Sequence, residues 1–165
     1  MRRTKTMLIG GIAALTLAVA GCSGSVSKSD FTAEFTKAAT SEDSPFTKEQ
    51  ATCMGDKIYD EVGEDKITEL NDELAGSDEF PKELIAPVAK AGPECVPAGD
   101  LLKDELTASG ITPEQADCIA CGINDDKALN QQVWDAIAAS AAGDQSKADD
   151  LQGAITDMAT KCVGG

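Results

Sequence analysis

The amino-acid sequence predicts an all-α protein: two tandem copies of a small disulfide-stapled helical unit, about four helices in each. Three observations carry that prediction. An eight-residue segment recurs 65 positions later, apolar residues keep helical spacing in both copies, and cysteines stand at matching places in the two. Alternating apolar runs of the kind that form half-buried strands are missing, and β-branched residues are scattered.

The N-terminal segment has its own order. Arg2, Arg3 and Lys5 give a positive start. Met7 to Ala20 is then apolar or small apart from Thr16, about fourteen residues, where a bilayer span needs about 20. That length fits the core of an export signal. The run Leu17-Ala18-Val19-Ala20-Gly21-Cys22 follows at once and resembles the lipobox of bacterial prolipoproteins. The resemblance implies a signal peptide over residues 1–21, a diacylglyceryl group (palmitate-class chains) on the Cys22 thiol, and Cys22 as the new N-terminus. It places the protein on the outer, extracytoplasmic face of the cell membrane.

Residues 22–29 read as a flexible tether, since Ser23 to Ser29 is small, polar and unpatterned. Fully extended, such a stretch reaches roughly 25 Å at about 3.4 Å per residue.

The first copy is expected over residues 30–97 and the second over 98–165. Phe31 and Phe35 lead into the first, and Leu102 and Leu106 lead into the second with the same four-residue step. The recurring segment comes next: Phe46 to Cys53 (FTKEQATC) matches Ile111 to Cys118 (ITPEQADC). Thr47 and Thr112 are its N-cap candidates, and Glu49 and Glu114 favour the positive end of the helix dipole. Pro113 suits the first helical position. Ala51, Met54, Ile58 and Val62 then form one stripe, repeated by Ala116, Ile119 and Ile123.

A second helix carries Ile67 and Leu70 in the first copy and Val133, Trp134 and Ile137 in the second. In a third, Leu84, Val88, Ala91 and Cys95 share the spacing of Leu151, Ile155, Met158 and Cys162. Pro87 is expected to interrupt that helix in the first copy. The repeat with its Glu-Gln-Ala-x-Cys helix start resembles small uncharacterised secreted helical proteins of actinobacteria, which implies no particular activity.

Each copy is small enough that a hydrophobic core alone is marginal. Besides Cys22 there are Cys53, Cys95, Cys118, Cys121 and Cys162, and the repeat pairs Cys53 with Cys95 and Cys118 with Cys162. Each bridge closes a loop worth about 4 kcal/mol in the chain-entropy model. Cys121 has no counterpart, because Asp56 stands at the matching place, and it is expected as an unpaired thiol. Alternatives for it are a Cys121–Cys162 bridge, an intermolecular bridge, or a redox or zinc site. The last two lack the strand–helix setting and the further ligands they require.

Composition excludes several function classes. Beyond residue 21 the chain holds 29 acidic and 11 basic residues, and neither arginine nor histidine. Nucleic acid and polybasic docking on anionic lipid both need a cationic surface. Histidine-based nucleophilic triads are ruled out. Asp125-Asp126 and Asp149-Asp150 are adjacent carboxylates that do not face each other on a helix. No cofactor, metal or enzymatic activity is expected. The expected partners are the membrane through lipid on Cys22 and an envelope protein. The leading function is therefore a lipid-anchored, non-catalytic binding or interaction protein. The alternative is a carrier or sensor for a small apolar or cationic ligand held between the copies.

Overall fold

The computed structural model describes residues 24–40, 44–74, 81–141 and 143–163. The expected signal peptide and Cys22 lie outside them. The described residues form eight α-helices and one short 3₁₀ turn, with no strand: α1 (Lys28–Ala39), α2 (Lys48–Val62), α3 (Glu64–Leu74), the 3₁₀ turn (Lys82–Leu84), α4 (Ile85–Cys95), α5 (Ala98–Ala108), α6 (Pro113–Asp125), α7 (Lys127–Ala141) and α8 (Ser146–Val163). The chain is all-α, as its periodicity predicts.

The two copies start their longest-matched helices in the same way. Thr47 and Thr112 each accept the backbone N–H of the residue three further on, and Gln50 and Gln115 each accept the cap's own N–H in return. Both are complete capping boxes, satisfying two backbone donors that a helix start leaves without partners. The reciprocal partner is the glutamine; Glu49 and Glu114 contribute through the helix dipole.

Pairing of elements follows the duplication. α1 packs along α2 as α5 packs along α6, and α2 meets α4 as α6 meets α8. Disulfides join those last two pairs: Cys53–Cys95 with Cα atoms 5.7 Å apart, and Cys118–Cys162 at 5.8 Å. Small residues set the closest approaches. A Cβ at Gly99 would stand within 3.0 Å of the Ala120 carbonyl group, so α5 lies directly on the backbone of α6.

The stripes of α2, α3, α4, α6 and α7 face a common core, whereas that of α8 is only half-buried: Leu151, Met158 and Cys162 pack on the core and Ile155 does not. Phe31, Met54, Ile58, Ile67, Leu70, Leu84, Ile119, Ile123, Val133 and Trp134 are almost wholly buried in one connected cluster. The copies are thus not separate bodies. α4 of the first copy packs along α7 of the second, and α7 in turn carries α8.

Trp134 is the joint. Its indole N–H donates to the Val96 carbonyl at 3.0 Å, and its ring stacks on Phe46 with centroids 6.2 Å apart. Both partners belong to the first copy.

Two readings of local structure are corrected. Pro87 does not break α4: it is the third residue, in the first turn, where a missing N–H leaves no intrahelical bond unmade. The proline inside the helix is Pro93. It cannot donate to the Ala89 carbonyl, and the side chain of Gln131 on α7 does so instead at 2.9 Å.

The tether is also shorter than residues 22–29. α1 begins at Lys28 with Ser27 as its N-cap, and Val26 is buried. An apolar residue just ahead of the helix cap found a place in the core.

Candidate functional sites

The first site is the seat of Val26. This residue is only 4% exposed. Its N–H donates to Thr68 Oγ1 of α3 at 2.9 Å, and its carbonyl accepts the Tyr59 hydroxyl of α2 at 2.8 Å. Both backbone groups are therefore satisfied by side chains, which lets an irregular segment lie against the core. Ser27 Oγ accepts the Asp30 N–H at 3.2 Å and donates to the Asp30 carboxylate at 2.7 Å, closing the helix start. Lys28 pairs with Asp60 at 2.7 Å beside them, and that hydrogen bond holds the Lys28 ammonium above its ordinary pKa. Burial raises the Tyr59 phenol in the same direction. The tether reading overlooked this seat, although two signals could have found it: Val26 is the sole apolar residue in the Ser/Gly/Lys run, and Ser27-x-x-Asp30 has the spacing of a capped helix start.

The second site is a groove of about 400 Å³ between α4 and α7, where the two copies meet. Ile85, Ala86 and Ala89 form one wall and Ala138 and Ala139 the other, with Lys90, Asp135 and Lys147 also lining it. Gln131 lies within it, held by its bonds to the Ala89 carbonyl and to Asp135 Oδ1.

A third hollow runs along α1 and α2 and is lined by hydroxyls, a feature the sequence reading missed. Its groups are spent on one another. Thr32 donates to Asp56 at 2.8 Å, Thr36 and Thr52 share a bond at 3.3 Å, and Thr40 donates to the Thr36 carbonyl at 2.7 Å. Two of these threonines, Thr32 and Thr36, are buried, so the set cements the helix pair.

The cysteines fall as the repeat requires: two bridges, with Cys121 a free and exposed thiol on α6. Asp56, at the matching place in the first copy, is instead a hydrogen-bond acceptor for Thr32.

Of the adjacent carboxylates Asp125 and Asp126, the second takes a structural role. Asp126 Oδ1 accepts the N–H groups of Ala128 at 3.0 Å and Leu129 at 3.1 Å, capping α7. Asp149 and Asp150 have no described side chains. Asp144 accepts the Ser146 N–H at 2.9 Å ahead of α8, and that backbone bond lowers its pKa.

Among the described residues, no cluster of three or more His, Cys, Asp or Glu side chains is placed to hold a metal ion. No described helix is long and apolar enough to cross a membrane. No protein-family model, curated protein or solved structure matches the chain.

Proposed function

We propose that the chain is a lipid-anchored, extracytoplasmic, non-catalytic binding or interaction protein. The observation that carries this reading is the N-terminal order of positive residues, short apolar core and the run Leu17 to Cys22. Lipid on Cys22 supplies the membrane contact, since the acidic domain offers no basic patch to anionic headgroups.

The seat of Val26 gives the anchor a direction. Only residues 23–25 separate Cys22 from a residue that is buried and hydrogen-bonded on both sides. Four residue steps span at most roughly 14 Å at about 3.4 Å each. On this reading the end of the domain built by Val26, Tyr59 and Thr68 is the membrane-proximal end. A rigid body on so short a leash is suited to presenting one surface to a neighbouring envelope protein.

Substituting Cys22→Ala tests the anchor. The expected result is a protein that leaves the membrane fraction or keeps its signal segment. Unchanged processing and fractionation would remove this reading. Photo-crosslinking of the anchored protein in its native membrane then tests for a neighbour; one reproducible protein partner is the expected outcome.

The groove between α4 and α7 favours a second reading, a carrier for a small apolar or cationic ligand. It lies at the junction of the copies and has a largely aliphatic wall, with Asp135, Asp144, Lys90 and Lys147 around it. Thermal melting of the domain against a panel of lipids and organic cations tests it. A ligand-dependent rise that Ala139→Trp abolishes supports the carrier, and flat melting across the panel rejects it.

A further inference from the structure

The second disulfide differs from the first in three respects. α8, which it holds, has no fully buried side chain among those described, whereas α4 buries Val88 and Ala91. Cys118 is exposed, whereas Cys53 and Cys95 are both half-buried. A free thiol, Cys121, stands one helical turn from Cys118, where the first copy has Asp56.

The placement of Cys121 is directional. At about 100° per residue around a helix, Gly122 lies about 40° to one side of Cys118 and Cys121 about 60° to the other. Gly122 faces α8: a Cβ there would come within 3.0 Å of Met158 Sδ. The Cys118–Cys162 bond also points toward α8. Around the helix, Cys121 therefore lies on the other flank of Cys118 from Gly122, away from α8 and not between Cys118 and that helix. Residues three apart on a helix have Cβ atoms about 5–6 Å apart. Their Cα atoms, roughly 5 Å apart, fall within the span a disulfide bridges, but the Cβ atoms must close to about 4 Å, so this turn of α6 yields as the new bond forms.

We propose that Cys118, Cys121 and Cys162 form an internal disulfide relay that frees α8. Cys121 loses its proton to solvent and its thiolate attacks Cys118 Sγ. The Cys121–Cys118 bond forms as the Cys118–Cys162 bond breaks. The electron pair leaves on Cys162 Sγ, which takes a proton from solvent. One disulfide and one thiol exist before and after, so the step needs no oxidant or reductant. The packed form keeps the long-range bridge, because the contacts of α8 with α6 and α7 hold Cys162 in place. Opening of α8 lets the bridge move within α6, and the helix is then tethered only through its connection to α7.

The test uses the full chain at low concentration, with no added thiol. Hydrogen exchange reports opening of α8 as urea rises below the global transition. A thiol-alkylating probe followed by acid quench and non-reducing peptide mapping reports which sulfur is free. The expected result is label on Cys121 alone without urea. Label on Cys162, with a matching peptide linked Cys118–Cys121, should then rise at least tenfold in the urea range where α8 amides open. Cys121→Ser should show neither product while opening of α8 is unchanged. If α8 opens and Cys162 stays unlabelled, or if α8 opens only with the whole domain, the relay is wrong.

Discussion

The indole of Trp134 occupies the space that a side chain at residue 92 would need. A Cβ on Gly92 would come within 3.0 Å of three atoms of that ring, and the Trp134 N–H is fixed to the Val96 carbonyl four residues on. The first copy thus presents a bare stretch of α4 backbone to the one tryptophan of the second. That seat accounts for the joining of two marginal units into one core.

Gly92→Ala should therefore destabilise the protein by roughly 3 kcal/mol, at the upper end for overpacking, because neither the helix backbone nor a buried indole can move aside. Gly153→Ala on α8 is the matched control. Nothing lies within 4 Å of a Cβ there, and replacing a mid-helix glycine should raise stability by about 0.5–1 kcal/mol. Urea melts of the two variants measure both. Equal midpoints would mean the joint at Trp134 is not tightly packed.

The two staples should fail differently. Their loops are nearly equal, 42 and 44 residues, so the unfolded chain gains similar freedom when either is lost. Replacing Cys53 and Cys95 by serine should lower global stability by about 4 kcal/mol. Replacing Cys118 and Cys162 should instead loosen α8 first, since that helix buries few apolar groups. Hydrogen exchange resolved by segment distinguishes the two; uniform loss of protection in both variants would contradict the difference.

Alkaline pH should release the N-terminal segment. The Tyr59 phenol and the Lys28 ammonium both titrate above their ordinary values in the folded protein, one through burial and one through Asp60. A group whose pKa is raised on folding gives its full stabilisation below its unfolded pKa and loses it as pH rises through the folded one. Both losses fall above about pH 10. Ionised Tyr59 can no longer donate to the Val26 carbonyl. Protease cleavage near Val26, measured against pH, should rise there in the wild type. In Tyr59→Phe cleavage should already be faster at neutral pH, with a smaller alkaline increase. A wild-type profile flat through pH 11 would refute this.

The capping boxes should contribute equally. Thr47→Ala and Thr112→Ala each remove a side-chain acceptor from the same position of the repeated segment. Each should lower stability by about 1 kcal/mol, read from thermal or urea melts. A large inequality would show that the two copies are not locally alike.

Much of the fold was legible because the sequence states it twice. Caps are local, so Thr47 and Thr112 could be read from neighbours three residues away. The stripes are periodic, so Met54, Ile58, Ile119 and Ile123 declared their buried face. Duplication also chose one disulfide pairing among the many that five cysteines allow. Other features left weak traces. Val26 is one apolar residue in a polar run, and its hydrogen-bond partners lie 42 and 33 positions away. The hydroxyls between α1 and α2 were invisible because threonine has no periodic signature that separates a buried position from a solvated one.

By itself the sequence determined the helices, their shared faces, the two bridges and the spare thiol, all consequences of spacing within a copy. Only the tertiary structure decided how the copies meet. Nothing in the repeat announces that α4 lies along α7, that Gln131 bonds the carbonyl Pro93 leaves open, or that Trp134 reaches Gly92. These contacts join residues about 40 positions apart in different copies, and a repeating pattern records what copies have in common. What sits between them is set by shape, by the space a missing side chain leaves and by the backbone groups that burial obliges some neighbour to satisfy.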